Sequence, residues 1–123
     1  GKRIIMVDDS IVRGTTMKQI INLIKRAGAK EVHLRMASAP FKYPCYFGTD
    51  VPSRDQLIAN KFSMEELCRE LGCNSLEFLT YENLDHIAPK SKLGFCKACF
   101  SGEYPMDLSC CGESAGSCMT KEE

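Results

Sequence analysis

No excess of charge of either sign marks this chain: 16 basic residues face 16 acidic ones, and the net charge is zero. That balance excludes a field that would steer the protein onto nucleic acid or an anionic membrane. There is no apolar run long enough for a membrane-spanning helix or a signal peptide. There is no internal repeat, and histidine occurs only twice. What remains is the composition of a globular protein, 44% hydrophobic and 26% charged in 123 residues, enough for one core. Cysteine is the exception to this sparseness. Eight cysteines without secretory features point to metal or redox chemistry rather than to structural disulfides.

Lys2 and Arg3 lead into Ile4-Ile5-Met6-Val7, an unbroken apolar run that ends at Asp8-Asp9. Such a run predicts a strand covered on both faces, as in a parallel α/β sheet. Ser10 to Thr16 form a polar turn. From Met17 the period lengthens, with Met17, Ile20, Ile21, Ile24 and Ala27 on one helical face and Gly28 as the C-cap candidate. Val32, Leu34 and Met36 alternate in a second strand over 31–36, completing a right-handed βαβ unit. Residues 37–52 are irregular and hold three of the five prolines. Ser53 with Gln56, and Ser63 with Glu66, have capping-box spacing for two short helices, the second ending near Gly72. A strand over 76–79 and a short helix from Thr80 or Tyr81 to Ile87 follow, then a basic connector over 89–93.

The acidic pair and the turn suit a sugar phosphate. Amides at a helix N-terminus carry about half a positive charge and point at an incoming anion. Gly14 allows close backbone approach, and the hydroxyls of Ser10, Thr15 and Thr16 add donors. Asp8 and Asp9, at the carboxyl end of the strand, can face a sugar diol or a hydrated Mg²⁺. A plain helix N-cap would use the same residue types. Cys96 and Cys99, in a C-x-x-C spacing, can share a metal or cluster, form a zinc half-site or redox pair, or lie in a core. Cys68 and Cys73 read as core or loop residues, and His33 and His86 as structural.

The string Ile4-Ile5-Met6-Val7-Asp8-Asp9-Ser10-Ile11-Val12-Arg13-Gly14-Thr15-Thr16 resembles the phosphoribosyl pyrophosphate (PRPP) motif of type I phosphoribosyltransferases. Val12 and Arg13 depart from the general motif in the manner of the amidophosphoribosyltransferases. The resemblance runs from Gly1 to about Leu108. It includes Ala37-Ser38-Ala39-Pro40, Tyr43-Pro44-Cys45-Tyr46-Phe47-Gly48, Leu57-Ile58-Ala59-Asn60, Glu77-Phe78-Leu79 and the stretch from Cys96 to Pro105. Thr49 stands where an apolar residue is usual.

The resemblance implies an α/β fold: part of a type I phosphoribosyltransferase, with a Rossmann-like parallel sheet and flanking helices, plus a Cys-rich C-terminal segment. The composition changes after Leu93, dividing the chain into residues 1–93 with the PRPP motif at 4–16, a C-x-x-C cluster-binding segment 94–108, and a tail 109–123 expected to be disordered unless a metal ties it down. PRPP would lie on Asp8, Asp9, Ser10, Val12, Arg13, Gly14, Thr15 and Thr16, with Mg²⁺ at Asp8 and Asp9. One branch of the family carries a 4Fe–4S cluster, and Cys45, Cys96 and Cys99 match three of its ligands. The fourth ligand lies outside this chain, and Cys110, Cys111 and Cys118 sit past the end of the resemblance.

The implied reaction transfers glutamine-derived ammonia to PRPP, the first step of de novo purine synthesis. The glutaminase part would lie in a missing N-terminal region of a longer cytoplasmic, homo-oligomeric enzyme that contacts neither nucleic acid nor membrane. The residue-1 glycine, with a strand starting almost at once, fits a piece of such a protein, inactive alone. Two other readings use the same residues. One is a regulatory domain that senses PRPP or nucleotides without catalysis. The other is a zinc or iron–sulfur module in which the Asp-Asp turn is incidental.

Overall fold

The computed structural model describes residues 1–51, 53–87, 89–90 and 92–108. The segment 109–123, expected to be a disordered tail and containing Cys110, Cys111 and Cys118, lies outside the described residues. Strand β1 (Arg3–Asp8), helix α1 (Thr15–Arg26) and strand β2 (Glu31–Met36) form the βαβ unit. Helix α2 (Met64–Leu71), strand β3 (Ser75–Phe78) and the single-turn helix α3 (Ala98–Ser101) follow, with 3-10 turns at Arg54–Gln56, Ile58–Asn60 and Glu82–His86. The sheet is parallel in the order β1-β2-β3. This is the α/β architecture that the change of hydrophobic period implies.

The register sorts the strands by parity. Ile4 lies beside Val32, and Met6 beside Leu34, which in turn lies beside Leu76. Of these, Met6, Val32, Leu34 and Leu76 meet Met17 and Ile21 of α1 and Leu67 and Leu71 of α2 in the main core. Burial of such side chains supplies roughly 1.5–3 kcal/mol each against full exposure, the main force holding both helices on this face.

The expectation that β1 is covered on both faces is corrected. Ile5 is 68% exposed and Val7 71% exposed. Both helices pack on the even face, and among the described residues no helix covers the odd one, where Ile5 lies beside His33 and Val7 beside Arg35. Ala27 is likewise exposed rather than on the apolar face, because it is already the C-cap of α1.

The two capping boxes diverge. At Ser63 the box forms fully: the Ser63 amide donates to Glu66 Oε2 at 2.8 Å, and the Glu66 amide donates to Ser63 Oγ at 3.3 Å. At Ser53 it does not. The Ser53 hydroxyl donates to Asp55 Oδ1 instead, and the extended backbone at Leu57 limits the following segment to a 3-10 turn. The segment after Thr80 is also a 3-10 turn rather than an α-helix.

A smaller core of Phe41, Val51 and Leu57 sits beside the sheet, with Val12, Cys45, Cys99 and Phe100 packed against it. Here the loop following β2 meets the C-terminal segment. The amides of Lys42 and Tyr43 both donate to the Cys99 carbonyl at 3.0 Å, and the Tyr104 hydroxyl donates to the Pro44 carbonyl at 2.7 Å. Phe41 and Phe100 stack with centroids 4.9 Å apart, and Tyr46 meets Tyr104 edge-on at 5.2 Å. Among the described residues no helix is long and apolar enough to cross a membrane.

Candidate functional site

At the carboxyl end of β1 the chain leaves the sheet at Asp8 and re-enters helix at Thr15. The turn between them lines a cavity of about 390 Å³. Its walls are Asp8, Ser10, Ile11, Val12, Arg13, Gly14, Thr15, Thr16 and Met17 from the turn and helix, with Asp50 from the distant loop. The structure therefore gathers Asp8, Ser10, Val12, Arg13, Gly14, Thr15 and Thr16 around one space. Asp9 is beside it but not in its wall; its Oδ1 accepts a hydrogen bond from Ser10 Oγ at 3.2 Å. Asp8 Oδ1 accepts from the Asp9 amide at 2.9 Å, which fixes the acidic corner of the turn.

Gly14 is required here by two independent constraints. Its φ of 79° lies in the left-handed region. A Cβ on it would stand 2.5 Å from Ile58 Cδ1 and 3.3 Å from Leu71 Cδ2. The turn thus rests on a floor built by the 57–60 segment and α2. The Ile58 amide donates to the Val12 carbonyl at 2.9 Å, pinning the turn to that floor from its other side.

Helix α1 starts with Gly14 as its N-cap, without a side-chain cap and with no acidic residue in its first turn. Its first amides point outward without intrahelical partners, and its positive end is not neutralised from within. Lys25 and Arg26 in the last turn complement the opposite end. Together with the Ser10, Thr15 and Thr16 hydroxyls, this is an arrangement able to receive an anion, with the Asp8 carboxylate at its rim able to face a diol or a hydrated cation.

Asp50 is the cavity residue that the motif could not reveal. It lies far from the turn in sequence, in a loop without regular structure, and only the packing of Val51 into the small core brings it across.

The cysteines divide into two groups. Cys45 and Cys99 pack beside the small core, whereas Cys96 is exposed and precedes α3. Burial raises the Cys45 thiol, but hydrogen bonds from Phe47, Thr49 and Gly48 outweigh it and hold Cys45 below the usual thiol range. Burial, then the charges of Cys45 and Cys96, pushes Cys99 up to about 11. Cys45 and Cys96 are therefore near enough to Cys99 for their charge to act on it. Among the described residues, no three metal-binding side chains converge as a ready metal site. Cys68 and Cys73 lie elsewhere, against the main core. His33 hydrogen-bonds Ser75 Oγ at 2.9 Å and Glu31 Oε2 at 3.1 Å on the sheet's odd face, and His86 ends a 3-10 turn.

No protein-family model matches the chain. Curated proteins do. Over 106 residues the chain is 50% identical to amidophosphoribosyltransferase 2, chloroplastic, of Arabidopsis thaliana, an alignment covering 86% of this chain and 19% of that protein. Over 105 residues it is 52% identical to the amidophosphoribosyltransferase of Pyrococcus horikoshii, covering 85% of this chain and 23% of the relative. Among solved structures it superposes on the glutamine PRPP amidotransferase of B. subtilis complexed with ADP and GMP, with a TM-score of 0.78 and 44% identity, over 88% of this chain and 25% of that one. The chain thus spans about a fifth to a quarter of the length of the proteins it matches.

Proposed function

We propose that this chain, homologous to one stretch of the amidophosphoribosyltransferases and sharing the fold of that stretch, is the PRPP-binding part of such an enzyme. The observation that carries the reading is the cavity at the end of β1. There a left-handed glycine, an uncapped helix N-terminus, three hydroxyls and an acidic corner meet around a single space.

The 5-phosphate of PRPP would rest on the amides and hydroxyls from Val12 to Thr16, and the ribose diol would face Asp8 and Asp9. In the complete protein, glutamine-derived ammonia attacks the anomeric carbon. The C–N bond forms as the C–O bond to pyrophosphate breaks, and the ammonia loses a proton, giving 5-phosphoribosylamine. What this chain contributes is position and charge. It fixes the phosphate and sugar so that the anomeric carbon faces the nucleophile, and it supplies no nucleophile of its own. The glutaminase part is contributed by the rest of the protein, so this chain alone does not turn over. The reading also takes the complete protein as a cytoplasmic homo-oligomer.

Two inorganic groups belong to this proposal. Asp8 and Asp9 would hold Mg²⁺, which supplies charge neutralisation at the departing pyrophosphate. Cys45, Cys96 and Cys99 would hold three corners of a 4Fe–4S cluster, completed from outside the chain. The cluster would be structural, joining the loop after β2 to the C-terminal segment. The packing of Cys45 and Cys99 against one small core, with Cys96 close enough for its charge to act on Cys99, supports that donor set.

The test is calorimetric titration of PRPP with Mg²⁺ into the protein. Asp8→Asn with Asp9→Asn should weaken binding by at least about tenfold, since each charged hydrogen bond contributes about 1.5–3 kcal/mol. Unchanged affinity would refute the PRPP assignment. For the cluster, anaerobically purified complete protein should show a broad visible absorbance that Cys96→Ser removes; iron retained by that variant would exclude Cys96 as a ligand.

A further inference from the structure

Outside the cavity and the Cys45 region, one pair of nucleophiles has no part in the reading above. Cys68 Sγ and Cys73 Sγ lie 3.2 Å apart. Their meeting follows from how α2 ends. The Gly72 amide donates to the Arg69 carbonyl, and the Cys73 amide donates to the Cys68 carbonyl, both at 3.1 Å. This is the Schellman pattern, which brings the side chain two places beyond the last helical residue back onto the final turn. In most helices that contact is between two apolar side chains. Here both positions are cysteine.

We propose that Cys68 and Cys73 form a reversible intramolecular disulfide, made by exchange with a low-molecular-weight disulfide, that locks the C-terminal end of α2 to the start of β3. A bond length near 2.05 Å requires the sulfurs to close by only about 1 Å. Each thiol already points at the other's backbone: Cys68 Sγ is 3.3 Å from the Cys73 carbonyl, and Cys73 Sγ is 3.5 Å from that of Cys68. Both are half-buried against the main core, so neither is sealed from solvent.

Burial, then its contact with Cys68, raises the Cys73 thiol. One of the two protein thiols loses its proton and attacks one sulfur of the small disulfide, forming a mixed disulfide and releasing one thiolate. The second protein thiol then gives up its proton and attacks the sulfur of the first, releasing the second thiolate. Two protein thiols are oxidised, one small disulfide is reduced to two thiols, and the two protons pass to the departing thiolates.

The lock has a structural reach. Residue 74 is already tied to β2, since the Asn74 amide donates to the Val32 carbonyl at 2.7 Å and Asn74 Oδ1 accepts from the Val32 amide at 2.9 Å. Leu71 lies between the two cysteines, and its Cδ2 forms part of the floor beneath Gly14. A closed bond would hold that floor against opening of the helix end.

The test uses the full protein, incubated with glutathione disulfide, alkylated and digested with trypsin without reductant. Cleavage after Lys61, Arg69 and Lys90 places the two cysteines in separate peptides, 62–69 and 70–90, each with no other cysteine. The expected product is these two peptides joined, separated again by reductant, with a melting temperature several degrees above that of the reduced protein. In Cys73→Ala the joined product should vanish and Cys68 should carry glutathione instead. Finding both cysteines alkylated, each glutathionylated separately, or either bonded to another cysteine would overturn the proposal. The wild-type peptide map decides this by itself if the variant does not fold.

Discussion

The molecule presents its chemistry in two regions built on opposite principles. The turn at residues 8–17 is contiguous in sequence: one strand end, one glycine and one helix start define nearly all of its cavity. The region joining residues 41–47 to 99–104 is the reverse. It contains one single-turn helix and is held by contacts between segments more than fifty residues apart, such as Tyr104 with Pro44. Local order makes the first region a motif, whereas the second exists only once the chain has folded. The difference also separates their roles: the first can bind a ligand through its backbone, and the second decides where a distant loop, and with it Asp50, is placed.

Substitution at one glycine in each region tests this contrast most severely. Gly14→Ala places a methyl 2.5 Å from Ile58 Cδ1 at a φ of 79°. Overpacking and left-handed strain together should cost about 2–4 kcal/mol and weaken PRPP binding at least about tenfold. A urea melt and a PRPP titration check both effects. Gly102→Ala is the counterpart. Its Cβ would stand 2.8 Å from Tyr43 Cζ, at a φ of 82°. Because a tyrosine ring can shift, a loss of about 1–3 kcal/mol is expected. PRPP affinity should change much less than in Gly14→Ala. Equal losses of affinity in the two variants would dissolve the distinction between the regions.

A finer probe is Tyr104→Phe, which deletes only the hydroxyl bonded to the Pro44 carbonyl. The expected cost is about 1 kcal/mol, the net value of one such bond, read as a shift in the urea midpoint. Smallest is the cap of α2. Ser63→Ala should cost about 1 kcal/mol or less, and its pH dependence identifies the partner. Hydrogen bonds from the Ser63 backbone and then its side chain hold Glu66 below the usual glutamate range. A group held low in the folded state stabilises above its unfolded pKa and loses that contribution as pH falls through the folded one. The stability gap between wild type and Glu66→Gln should therefore be present at pH 7 and close under acid conditions. A gap that widened on acidification would contradict the capping box.

The same contrast explains what could be read from residues alone. Strand β2 coincides with the alternation of Val32, Leu34 and Met36, and α2 with its Ser63 cap, because these signals are short-range. Helix α1 begins two residues before Met17, since Gly14 rather than the first apolar residue sets its start. The Ser53 spacing misleads because Asp55 captures the serine hydroxyl and no helical apolar period follows. The uncovered face of β1 was illegible for another reason. An apolar run records the burial a strand is suited to, and Ile5 and Val7 remain exposed because both helices pack on the other side. Asp50 enters the cavity only through long-range packing, so no local pattern could have marked it.

The most direct measurement is an amide-resolved NMR titration of the protein with PRPP and Mg²⁺. If the helix N-terminus is the phosphate cradle, the largest shifts fall on the amides of Arg13, Gly14, Thr15 and Thr16, while those from Ala98 to Glu103 stay near their starting positions. Shifts concentrated in the second region, with the turn unmoved, would contradict the account.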